Sequence, residues 1–427
     1  MASIPPISGS SSHAPLAPSE EQLKEGESGR FAALRHRNFR LFWTGNFLSL
    51  IGSLAQQTAQ GWLVRTLTPN ELLITGVAAA GTAPMLLFTL VAGAVADRVD
   101  KRRTLMSLNV VAALLAVLLA WLTWRGDVQI WHVALVAFLA GSVNAFDIPV
   151  RQSFNVEMVG RRDLPNAIAL NSSAFNGARV AGPMAGGFLL GAVGIAGCFL
   201  VNAFSYVALI FNLARMNTPR AETPANPLRL GDIWDGWCFV RKNPTLWMTV
   251  VLVAWTSFWA MSYSPLLPVF AKDVFLSNER GFAFLAAFNG VGALASALAL
   301  AAAGSMRHRG KRLLLGALLF SLSVVAFGAC RSLVWGCFIL VLAGWFLLTF
   351  LMTANTLVQT LAPDELRGRV FSVYSLALIG TAPLGALAMG GLARVLGPGG
   401  AVRLGGGMGA VFSVWIFLCF RALWKEK

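Results

Sequence analysis

The sequence predicts an all-α polytopic membrane protein with twelve transmembrane helices in two pseudo-symmetric six-helix bundles. Three observations predict it. Of 427 residues, 56% are hydrophobic and 12% are charged, about half the charged fraction of a soluble domain. The charges gather in short links between uncharged runs of membrane length. One long link divides those runs into two sets of six whose loops match in pattern.

Residues 1–30 are rich in Ser, Pro and Glu and lack an apolar core. They read as a disordered cytoplasmic tail, not as a signal peptide. Residues 31–40 are basic and amphipathic and predict an interfacial lead-in helix. The first four spans fall at 41–64, 72–96, 104–124 and 128–147. The run 164–214 holds a single charge, Arg179, and is too long for one span of ~20 residues. Gly191, Gly194 and Gly197 supply the break between spans five and six. These spans make the first bundle, 31–216.

The link 217–243 opens with Pro219, Pro224 and Pro227. Leu230, Ile233, Trp234, Trp237 and Val240 then recur at helical spacing, with Asp232, Asp235, Arg241 and Lys242 off that stripe. This predicts a cytoplasmic amphipathic helix lying on the membrane surface. The second bundle, 244–427, holds spans at 244–271, 281–306, 313–330, 333–360, 370–393 and 404–421. The repeat is visible in the loops. Val156 to Leu164 leads into span five, Val358 to Leu366 leads into span eleven, and Arg98 to Arg103 has a counterpart in Arg307 to Arg312.

Charge sets the orientation. With both termini cytoplasmic, 26 of the 34 Lys and Arg residues lie on the cytoplasmic side. Seven lie outside: Arg65, Arg125, Lys272, Arg280, Arg331, Arg394 and Arg403. The net charge of +15 is thereby explained by positive-inside loops beside anionic lipid, with no nucleic-acid partner. The expected location is the cell's inner membrane. The five cysteines and four histidines are dispersed and have no metal-ligand spacing. No metal, cofactor or catalytic group is expected, so the chain reads as a non-enzyme.

The densest motif lies between spans two and three. Gly93, Asp97, Arg98, Lys101 and Arg102 resemble the G-x-x-x-D-R-x-G-R-R loop of the major facilitator superfamily, with Asp100 where that family has glycine. Gly182-Pro183-Met-Ala-Gly186-Gly187 resembles the core of the motif of the family's exporters, with Ala178 and Ala169 where upstream glycines are expected. Asp147-Ile-Pro149-Val-Arg151 and the Arg179–Gly187 run resemble the branch holding enterobactin-type siderophore exporters and macrolide efflux proteins. The resemblance covers about Phe31 to Trp424. It implies that Gly93 and Asp97 gate alternation against the start of span eleven, near Gly368 and Arg369. The remaining cations of the loop read as topology signals.

Polar side chains in hydrocarbon need partners. Asn46, Ser49, Ser53, Gln56 and Gln60 share one face of span one. Ser172, Asn176 and Arg179 form a stripe on span five, with Arg179 about 22 Å along the helix from Leu164 at 1.5 Å per residue. Arg179 is the one formal charge deep in the membrane. A substrate contact and a structural pairing with Gln56, Gln57 or an opposing carbonyl both stay open for it. Thr256, Trp259, Tyr263 and Asn289 are the second bundle's candidates. Together these residues suggest a large, mainly apolar and aromatic cavity with few polar anchors. Asp147, with Arg151 one turn on, is the nearest candidate for proton coupling, beside a structural ion-pair reading. There is no G-x-x-x-x-G-K-[ST] run for ATP.

The expectation is a secondary active transporter that exports an amphipathic small molecule, such as a siderophore or drug, as a monomer driven by protons. Two alternatives stay open: a lysophospholipid or lipid-type transporter, and a membrane sensor or scaffold without turnover.

Overall fold

The computed structural model describes residues 31–96, 98–216, 230–302, 308–363 and 366–419. Every regular element among them is helical. Among the described residues, nine segments are long and apolar enough to cross a membrane, and two of these, Arg162–Ala214 and Arg367–Cys419, run to 53 residues.

The chain enters by a 3-10 turn, Ala32–Arg35, where the sequence suggested a longer interfacial helix. The turn is tied to a distant segment. The Ala33 N–H donates to Asn166 Oδ1 at 3.0 Å, and His36 Nε2 lies 2.8 Å from Asp163 Oδ2. Then come α1 (Arg37–Leu67), α2 (Glu71–Ala96) and α3 (Lys101–Arg125). Helix α1 is long enough to span, but its polar stripe dilutes its hydropathy. Asp100 caps α3, its carboxylate accepting from the Arg103 N–H at 3.0 Å. That is the work of the residue standing where the family's loop has glycine.

Ile130–Ala214 is continuous except at Gly160 (φ 68°, ψ 177°) and Gly194 (φ 70°, ψ −176°). A side chain would strain both conformations, so glycine places both turns. They divide the run into α4 (130–159), α5 (161–193) and α6 (195–214). The turn at Gly194 falls inside the expected break. Helix α4, by contrast, runs twelve residues past the expected end at 147.

Helix α7 (Leu230–Lys242) is the expected amphipathic helix of the link. Val240 is buried, and Trp237 meets Trp247 edge-to-face at 5.4 Å. Helix α8 (244–274) starts at Pro244 behind the Asn243 cap, tightens to 3-10 over Met261–Leu266 and ends in a π turn. Then follow α9 (Glu279–Ala302), α10 (Arg309–Ala329), α11 (Leu333–Leu361) and α12 (Arg367–Ile379). After a break at Gly380–Thr381 come α13 (382–396) and α14 (398–419), divided at Gly397 (φ 73°). The last span thus begins before the expected 404.

Helices α1–α6 pack chiefly on one another, as do α8–α14, and the two groups meet through α5 on α9 and α2 on α13. Lys101, Arg309 and Arg367 mark one end of the molecule, the basic end. Arg65, Asp273 and Arg280 mark the opposite end. The expected tail 1–30 and most of the opening of the link lie outside the described residues.

Candidate functional site

The two groups of helices are clamped from mid-membrane to the opposite end. There Arg65 of α1 holds Asp273 of α8 through both carboxylate oxygens, its Nε at 2.9 Å from Oδ2. Lys272 lies 5.9 Å over the Trp62 ring, and Trp62 stacks on Phe282 of α9 at 6.4 Å. The exporter-type motif supplies a close approach. A Cβ on Gly187 would stand 2.3 Å from the Ala283 Cβ of α9. On the other side of α5, Gly182 and Gly186 sit against Leu54 and the Ala55 backbone of α1. Pro183 between them is buried and leaves the helix unbroken.

At mid-membrane three of the candidate residues converge. Arg179 of α5 lies within electrostatic reach of Tyr263 in the 3-10 segment of α8. Asn289 of α9 donates to the Tyr263 hydroxyl at 2.9 Å. The backbones meet here too, since a Cβ on Gly290 would stand 2.4 Å from the Arg179 carbonyl oxygen. Among the described residues the Arg179 guanidinium has no hydrogen-bonding or ion-pair partner. It is partly exposed, whereas Tyr263 is buried. An unpaired guanidinium in a membrane interior is costly unless water or an anion reaches it. The other side of the 3-10 segment, Met261, Ser262 and Pro265, borders an apolar cavity of about 350 Å³ between the two groups, with Ala78 and Thr82 of α2 and Leu378 of α12 on its walls.

The remaining candidates face elsewhere. Ser53 bonds the Tyr206 hydroxyl at 3.0 Å, and Gln56 accepts from Asn202 at 2.7 Å, both on α6. Asn46 accepts from Arg151 of α4. The stripe on α1 is thus largely engaged inside the first group, with Ser49 buried and Gln60 half-buried. Asn176 is buried and donates to the Ser172 carbonyl, while Ser172 itself is exposed. Thr256 is buried with no partner for its hydroxyl among the described residues, and Trp259 packs on Trp255 and Phe258.

Arg151 grips Asp147 through both oxygens, at 2.7 and 2.9 Å, and lies over the Phe42 ring. In the loop of the basic end, Gly93 lies in the last turns of α2 and Arg98 is exposed. Asp97 lies outside the described residues. Lys101 is buried and paired with Glu157 of α4, and Arg102 donates to the Leu213 and Ala214 carbonyls at the end of α6. These two cations therefore join three helices as well as carrying charge. The backbone of Arg369, expected opposite Asp97, is met by Gly236 of α7.

Sequence reasoning passed over Glu157, Asn202, Gly290 and the Arg65–Asp273 pair. The one available signal was charge at the end where cations are scarce.

Long apolar helices in two interlocked groups, joined across a polar centre, define a multi-pass membrane protein. The model of the transmembrane secretion effector family matches residues 28–426, and the chain belongs to that family. The multidrug efflux pump Tap of Mycolicibacterium fortuitum is 27% identical over 79% of this chain and 84% of its own. The staphyloferrin A transporter of Staphylococcus aureus is 26% identical over 84% and 90%. The enterobactin exporter EntS of Shigella flexneri is 23% identical over 85% and 87%. Among solved structures, the nucleoside transporter NupG superposes with a TM-score of 0.73 at 13% identity, covering 91% of this chain and 100% of that one. A bacterial Spinster homologue in an inward-facing, unoccupied conformation gives 0.66 at 16% identity, covering 93% and 97%. These two share the fold.

Proposed function

We propose that the chain exports an amphipathic small molecule, a siderophore or drug, by alternating access. The observation that carries this reading is the meeting of Arg179, Tyr263 and Asn289 at mid-membrane, where a guanidinium with open donors lies at the contact between the two groups of helices. An anionic or polar substrate group docks on Arg179, and the apolar cavity beside Met261 and Pro265 takes its hydrophobic part. Relatives named for siderophores and for drugs support the substrate class.

The described contacts between the two groups run from mid-membrane to the opposite end. We propose that this closed state of the opposite end alternates with one closed at the basic end. We place that end in the cytoplasm of an inner-membrane protein with both termini inside. Splitting the two 53-residue segments and adding α1 gives twelve crossings in two bundles, 31–216 and 244–427, that work as a monomer. The proton gradient is the proposed driving force. Asp147 is the candidate carrier, although its grip on Arg151 also suits a structural pair. No catalytic role is assigned to any residue.

Reconstituted vesicles with an imposed pH gradient test the reading. Gradient-dependent movement of a catecholate siderophore or an amphipathic dye is expected. Absence of flux for both counts against it, and transbilayer movement of a fluorescent lysophospholipid in their place favours a lipid-type substrate.

A further inference from the structure

A second cavity lies away from the central site, between α10 and α11 at the basic end. Its volume is about 300 Å³, and it is lined by Lys311, Arg312, Leu315, Leu319, Trp345 and Phe346, among others. Its two ends differ in chemistry. At the mouth stand His308, which is exposed, then Lys311 and Arg312 in the first turn of α10. Deeper in, over about 10 Å at 1.5 Å per residue, the walls are leucine and aromatic rings. The floor is Thr349, whose hydroxyl is already engaged with Ser296 of α9 at 2.8 Å and with the Trp345 carbonyl.

The cavity opens on the outer face of the helices. Leu315, Leu319 and Leu322 of α10, spaced one turn apart, are 48%, 36% and 47% exposed. Phe338 and Leu342 on the neighbouring face of α11 are exposed as well. In a membrane this face meets acyl chains. Of the residues lining the cavity, Arg312 carries an Nη1 that is buried with no hydrogen-bond partner among the described residues. A guanidinium kept under-bonded at the edge of hydrocarbon calls for an oxygen-rich anion, and phosphate suits its fork. Basic pockets between spanning helices are matched to anionic lipid headgroups.

We propose that this groove binds an anionic phospholipid. Its phosphate sits at Lys311 and Arg312, and one acyl chain lies along Leu315, Leu319, Trp345 and Phe346. The charge at the mouth selects the headgroup, and the apolar wall below requires the chain. Through Thr349 and Ser296 the occupied groove braces α11 against α9, the helix that carries Asn289.

The test uses full-length protein in detergent and native mass spectrometry, with phosphatidylglycerol and phosphatidylcholine of matched chains. The variants are Lys311→Gln, Lys311→Gln/Arg312→Gln, and Arg331→Gln at the opposite end. The wild type is expected to retain phosphatidylglycerol at least about fivefold over phosphatidylcholine. The exposed single variant is expected to lower that preference, the double variant to abolish it, and Arg331→Gln to leave it unchanged. Gel filtration and helical content of each variant report folding. Should the double variant misfold, Lys311→Gln decides the matter alone. Unchanged preference in the folded variants overturns the proposal, as does equal retention of the two lipids. Inorganic phosphate or glycerol phosphate that displaces phosphatidylglycerol completely and stabilises the protein equally well reduces the groove to a free-anion site and overturns the lipid assignment.

Discussion

Gly187 of α5 and Ala283 of α9 meet so closely that a Cβ on the glycine would stand 2.3 Å from the alanine Cβ. No rotamer relieves a clash between two Cβ atoms, so a larger residue there must separate the helices. Gly187→Leu is therefore expected to wedge the opposite end open. Membrane insertion is unaffected, transport falls at least tenfold, and cysteines placed near Arg280 become more reactive to impermeant thiol reagents. Wild-type flux in this variant contradicts the contact's role in closure.

Arg65 and Asp273 close the same end by charge. Their side chains are 11% and 36% exposed, so the pair is partly screened and contributes about 1 kcal/mol. Asp273→Asn is expected to shift the balance between the two open states about fivefold toward the one open at the opposite end. Distance measurements between spin labels on α1 and α8 read the shift. The exchange Arg65→Asp/Asp273→Arg is expected to restore the wild-type distribution, and its failure to do so leaves the pair without a gating role.

Lys101 is buried against Glu157. Removing the carboxylate strands a buried ammonium, and Glu157→Gln is expected to cost about 3 kcal/mol of stability. Lys101→Met/Glu157→Met leaves no such charge and is expected to lose less. Thermal unfolding in detergent ranks the variants, and equal losses contradict a role for Glu157 in neutralising the buried Lys101.

Much of this was legible in the sequence. Membrane-length runs betray themselves through hydropathy, and a Gly-rich interval in a run too long for one span has to hold a turn, which falls at Gly194. The extent of α4 was not legible. Asp147 closes the expected fourth span and Arg151 and Glu157 fall beyond it, yet all three sit within the helix, where Arg151 grips Asp147 and Asn46 and Lys101 pairs with Glu157. The stripe on α1 had the right periodicity, but period alone does not say which neighbour a face meets. Asn202 and Tyr206, far along the chain, decide that. Arg179, Tyr263 and Asn289 were each conspicuous singly. Their convergence depends on how three helices cross, which no local pattern encodes.

The most direct measurement is flux of an anionic siderophore in gradient-loaded vesicles, comparing the wild type with Arg179→Lys and Arg179→Gln. The expected result is loss of at least about 2 kcal/mol of substrate interaction in Arg179→Gln, some thirtyfold in affinity, with partial rescue in Arg179→Lys and normal insertion of both. Wild-type affinity and flux in Arg179→Gln would contradict a substrate site at Arg179.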